Sequence, residues 1–144
     1  MFKSRPIFGV GHNMFMDQLA QTAHNSFVLV FSELGIFGFF FWVGLIYTSY
    51  KCLSFVQMHD EKLKTYAIGL QSALVGFSAA AFFISRAYVI MPYLLFAFSG
   101  ALANIVLQNN KDLVLVFDKK DVKNIFILCA LIFSLVLILI KVGI

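Results

Sequence analysis

Charge is scarce in this sequence. Asp, Glu, Lys and Arg make up 12% of its 144 residues, and several stretches long enough to cross a bilayer carry one charge or none. A soluble domain of this length is rarely 61% hydrophobic with a mean hydropathy of +0.91. The apolar runs are continuous and do not alternate with polar residues, which argues against a transmembrane β-barrel. Cysteine is nearly absent. Cys52 and Cys129 have no CxxC partner and no nearby His, so both read as small buried apolar residues. The net charge of +4 comes without a basic cluster interleaved with aromatics, which argues against a nucleic-acid partner. Gly9-Val10-Gly11 lacks a following GK[ST] and a preceding strand, so no nucleotide site is expected. His12, His24 and His59 have no ligand spacing around them, and neither a metal nor another cofactor is expected. GxSxG and SxxK motifs are missing too. No apolar run follows the basic residues 1–5, so a signal peptide is not expected. The opening in a Gly-rich polar segment leads us to expect the C-terminal piece of a larger protein.

What is present is an all-α pattern, a polytopic transmembrane helix bundle of about four spans plus a short interfacial helix. Residues 1–25 form an outer loop and that helix, and 26–144 hold the spans, at about 26–50, 66–84, 89–107 and 124–142. Pro6, Gly9 and Gly11 make the opening turn-rich. Residues 14–23 have no breaker and place Phe15 and Leu19 four apart, the spacing of a short amphipathic helix. In the first span Gly35 and Gly38 share a face where a neighbouring helix can come close. The second span is rich in Ala, Ser and Gly, which favours helix packing over lipid exposure. Pro92 falls in or near the first turn of the third. Residues 113–117 are an apolar patch inside a polar loop, and the last span reads as lipid-facing. With four spans, the loops 51–64 and 108–123 share one side and hold seven Lys, against Lys3, Arg5, Arg86 and Lys141 on the other. The positive-inside rule puts the Lys-rich loops in the cytoplasm and the His24 segment and Arg86 outside.

Few residues can carry chemistry. His24 sits just before a span, flanked by Asn25 and Ser26. An imidazole at a wet membrane edge can serve as a general base for a hydroxyl acceptor, or can simply help start the helix, for which Asn25 and Ser26 are ordinary caps. Glu33 follows about two turns deeper, roughly 10 Å along the same face. A carboxylate there is costly unless it meets protein or a wet cavity, so it either supports a site or makes a structural pair. Arg86 can bind a phosphate or pyrophosphate through paired N–H donors, or can snorkel as an anchor, and Arg5 has the same two readings.

Pro6, Gly9 and Gly11, then His24 and Asn25, then Glu33, Leu34, Gly35 and Gly38 together resemble the C-terminal signature of the O-antigen ligase and polymerase superfamily. The resemblance covers about residues 6–45. It implies an enzyme of the bacterial inner (plasma) membrane, multi-pass, that transfers a glycan from a lipid-linked oligosaccharide donor, undecaprenyl pyrophosphate. The acceptor is lipid A–core, a second lipid-linked saccharide or a protein. The resemblance implies His24 as the catalytic residue activating the acceptor, with Asn25 as a candidate for substrate binding and Glu33, Gly9 and Gly11 as site support; the family's donor-binding arginines lie upstream of the matched segment, so Arg86 and Arg5 are candidates for substrate binding on their own chemistry alone. No metal or cofactor is implied. Membrane lipids and the missing N-terminal helices of the same protein are the expected partners. The alternative is a non-catalytic membrane protein, such as a transporter or flippase fragment or a degenerate remnant.

Overall fold

The computed structural model describes residues 7–11, 14 and 25–142. Four helices follow in order: α1, Ser26–His59; α2, Lys64–Ala80; α3, Ile90–Asn109; and α4, Lys119–Val142. No strand occurs among the described residues. The expected interfacial helix over 14–23 lies outside them, save Met14. Three helices, α1, α3 and α4, are long and apolar enough to cross a membrane. The fourth expected span is shorter than the sequence implies. α2 has 17 residues, about 25 Å at 1.5 Å per residue, against a hydrocarbon core of about 30 Å. Its Ala- and Ser-rich end leaves the helix at Ala80 and continues as turns through Phe83.

Each helix boundary has a local cause. Asn25 is extended (φ −154°, ψ 117°), and its Oδ1 accepts the backbone N–H groups of Phe27 at 2.9 Å and Val28 at 3.1 Å. Those donors have no partner inside the helix, so the cap is favourable. At the other end Asp60 leaves the helix, and its Oδ1 accepts from the N–H of Lys62 and of Leu63, which turns the chain into α2. Pro92 occupies the first turn of α3, where its missing N–H costs nothing. Asp118 and Asp121 form a reciprocal pair at the start of α4. Asp118 Oδ1 accepts from Lys120 N at 2.8 Å and Asp121 N at 3.1 Å, while Asp121 Oδ2 accepts from Asp118 N at 2.8 Å. This is the capping-box logic with Asp in place of Glu.

The helices alternate in direction around α1, which packs against all three others. α2 and α3 also touch each other, whereas α4 packs on α1 alone among the helices. The core divides in two along α1. Phe27, Val30, Phe39, Trp42 and Val43 pack with Ala81, Ala87 and Ile125 near its amino end. Cys52, Leu53 and Val56 pack with Ala67, Leu74, Ala103 and Val106 near its carboxyl end. The apolar patch at 113–117 splits between two environments. Leu113 and Leu115 pack against that second cluster, and Val114, Val116 and Phe117 are exposed. α4 leaves Phe126, Ile127, Leu131 and Leu137 exposed.

One feature of α1 departs from a regular helix. Gly35 has φ 67° and ψ −167°, so two helical segments meet there at a break. That backbone region is essentially confined to glycine. The expectation that a neighbouring helix approaches at Gly35 and Gly38 is therefore corrected. What approaches Gly35 is the backbone of residues 7–9.

Candidate functional site

A helix break leaves carbonyls without intrahelical donors, and buried carbonyls need partners. At Gly35 the partners come from the chain's opening loop. Val10 N donates to Ser32 O at 3.0 Å, and Gly11 N donates to Glu33 O at 3.0 Å. The loop can lie this close only because both sides of the contact are glycine. A Cβ on Gly9 would come within 2.6 Å of the Gly35 nitrogen and closer still to the Glu33 carbonyl. A Cβ on Gly35 would come within 2.6 Å of the Gly9 nitrogen and closer to Ile7 O. Both glycines also have positive φ, 70° at Gly9 and 67° at Gly35. Phe8 stacks on Phe37 just past the break, with ring centroids 6.0 Å apart. The Gly9-Val10-Gly11 segment and the Glu33-Leu34-Gly35 segment are thus two halves of one joint.

Glu33 links that joint to a third segment. It is 2% exposed, buried in protein as the cost of a carboxylate in hydrocarbon requires. Its main chain receives Gly11, and its carboxylate interacts with Tyr88 in the α2–α3 connection. Burial pushes the Tyr88 phenol well above its usual range, and the neighbouring Glu33 carboxylate pushes the same way, with a smaller push from Tyr93.

Ser26 fixes the same connection from the helix start. It is fully buried, and its N–H donates to Ala81 O at 2.7 Å. Its Oγ donates to Ile84 O and accepts the N–H of Arg86 at 2.9 Å. The cap reading of Ser26 is thereby corrected: Asn25 caps α1, and Ser26 ties α1 to the turn that carries Arg86. Neither partner could be found from local sequence, since Ser26 and Arg86 are 60 residues apart. The role of Tyr88 was missed for the same reason.

Of the sequence-derived site residues, Gly9, Gly11, Glu33, Asn25 and Arg86 gather at the amino end of α1. Arg86 is exposed, with its main chain held by Ser26. Asn25 has its Oδ1 committed to the first turn of the helix. His24 and Arg5 lie outside the described residues, although His24 adjoins Asn25 in the chain. No group of three His, Cys, Asp or Glu side chains suited to a metal occurs among the described residues. No family model matches the chain, and no curated protein or solved structure matches it either.

The opposite end of α1 holds a different polar cluster. Lys51 Nζ meets Asp121 Oδ2 at 2.6 Å and Val116 O at 2.7 Å. Tyr47 donates its hydroxyl hydrogen to Asp121 Oδ1 at 2.8 Å and accepts from Asn124 Nδ2 at 3.0 Å. Gln71 bridges α2 to α1 by accepting from Gln57 and donating to Ser54. These groups pair among themselves and hold helices together.

Proposed function

We propose that the chain is the C-terminal part of a bacterial inner-membrane glycan ligase or polymerase. It transfers a glycan from undecaprenyl pyrophosphate to a lipid A–core or saccharide acceptor at the non-cytoplasmic face. One observation supports the reading above others: the Gly9/Gly11 loop seats in the break at Gly35, on the helix whose capped start follows His24. A helix break held by glycines in a backbone region closed to other residues is a local irregularity of the kind that clusters at functional sites. In this reading His24 takes the proton of the acceptor hydroxyl, whose oxygen bonds to the anomeric carbon of the donor. The bond from that carbon to the pyrophosphate oxygen breaks, and undecaprenyl pyrophosphate leaves with the electron pair. In the same reading the Arg86 guanidinium binds the pyrophosphate; what supports this is its exposure on the turn that Ser26 holds. Glu33 and the two glycines support the site and do not touch the reacting atoms.

The test is glycan transfer by the intact protein carrying His24→Ala or His24→Gln, with protein level and donor synthesis measured alongside. Loss of a general base lowers the rate by about 10²–10⁴-fold. Both variants should show this loss with unchanged protein and donor. Transfer at the wild-type rate in His24→Gln would reject the base role.

A further inference from the structure

The connection between α2 and α3 carries one charge in a long uncharged stretch. Arg86 is the only charged residue between Lys64 and Lys111. Ala81 and Ala87 are buried on either side of the turn, and both pack in the cluster of Phe27 at the start of α1. Phe83, Ile84 and Arg86 between them are exposed. Within the turn Arg86 N donates to Ile84 O at 3.1 Å, a bond that spans three residues. Ser26 closes this turn from the protein side. Its hydroxyl donates to Ile84 O and accepts from Arg86 N at 2.9 Å, so one oxygen bridges both arms. A hydroxyl can do this because it has one donor hydrogen and two acceptor lone pairs. Ser26 is 0% exposed, so water does not compete for either arm from its side.

We infer that Ser26 is a positioning residue for pyrophosphate binding: through the turn it closes, it sets the backbone from which the Arg86 guanidinium reaches the donor. The inference rests on the assignment of Arg86 to the pyrophosphate made above. A guanidinium grips phosphate oxygens with two parallel N–H donors, so its contact depends on direction as well as on reach. An arginine on a loose turn must order that turn when it binds. One whose backbone is already set escapes this cost, and the difference appears as affinity. Ser26 acts on the main chain of Arg86 and not on its guanidinium. It also stands two residues after His24 in the chain. The same side chain therefore ties the segment that carries the proposed base to the turn that carries the proposed anion-binding group.

The test is a double-mutant cycle on the affinity of the full chain in nanodiscs for undecaprenyl pyrophosphate, which keeps the pyrophosphate and omits the glycan. Arg86→Ala should weaken binding about 10–100-fold, the loss of a hydrogen-bonded charge. Ser26→Ala should weaken it about 3–10-fold while the guanidinium is present, and not at all in the Arg86→Ala background. A purely structural role cannot produce that coupling, because its cost would not depend on the Arg86 side chain. Should Ser26→Ala fail to fold, Ser26→Cys, similar in size but a weaker donor and acceptor, takes its place in the cycle. Equal loss with and without the guanidinium, or no loss, would overturn the inference and leave Arg86 in its role. Unchanged affinity in Arg86→Ala, or no binding by the wild-type chain, would remove the pyrophosphate assignment and the inference together.

Discussion

The two ends of α1 solve the same problem, that of pairing polar groups in an apolar bundle, by different means. At the carboxyl end side chains do it: Lys51 with Asp121, Tyr47 with Asp121 and Asn124, and Asp118 with the first turn of α4. At the amino end the main chain does much of it, with Val10 and Gly11 serving the carbonyls of a broken helix and Ser26 serving the α2–α3 connection. Side-chain pairing of the first kind needs only common residues in common rotamers. Main-chain pairing of the second kind needs glycine at two facing positions with positive φ. The arrangement that only glycine permits is at the end where the site is proposed, and the one open to ordinary residues is where the helices are clamped.

Breaking the amino end should have the largest effect. Gly35→Ala forces a strained backbone costing about 1–3 kcal/mol. Its Cβ also meets the main chain of residues 7–9, so the loop must leave, with about 1 kcal/mol lost for each of its two hydrogen bonds. Thermal unfolding in detergent should show the loss, and Gly9→Ala should resemble it, because each removes the same contact. At the carboxyl end Asp121→Ala leaves Tyr47 without its acceptor and takes one of two acceptors from Lys51, which keeps the Val116 carbonyl, an expected cost of about 1–3 kcal/mol. If Asp121→Ala destabilised more than Gly35→Ala, the division of labour between the ends would be reversed.

How legible each end was follows from the range of its interactions. The apolar runs of α1, α3 and α4 stand out because crossing a bilayer demands length and lack of charge. Asp118 and Asp121 form a local pattern three residues apart. From the sequence the first span ends near 50, since Lys51 after Tyr47 and Tyr50 has the pattern of an interfacial anchor. In the structure Lys51 turns onto Asp121, 70 residues away, and the helix runs on to His59. The residues 6–11 and 33–38 could be picked out as motifs, but their meeting could not. Glycine is frequent in membrane helices, and its spacing at 35 and 38 fits helix packing as well as it fits a break. Ser26 and Tyr88 have partners far away in the chain and gave no local signal.

Smaller substitutions sharpen the comparison. Asn25→Ala should cost about 0.5–2 kcal/mol through loss of the cap, and Asn25→Asp, which keeps the acceptor, should restore most of it. The same unfolding assay reads both, and failure of Asp to rescue would argue that the amide has another task. Ile127→Ala on the exposed face of α4 should stay within about 0.5 kcal/mol. A larger loss there, measured in nanodiscs, would mean that this face is covered by protein.

The account rests on the opening loop being seated in the break of α1, and hydrogen exchange of the Val10 and Gly11 amides tests that directly. Both donate to buried carbonyls, so in the full chain in nanodiscs they should exchange slowly. In Gly35→Ala they should exchange at the rate of a free loop, while the amides of α4 keep their protection. Fast exchange of Val10 and Gly11 in the wild-type chain, or slow exchange that survives Gly35→Ala, would contradict the account.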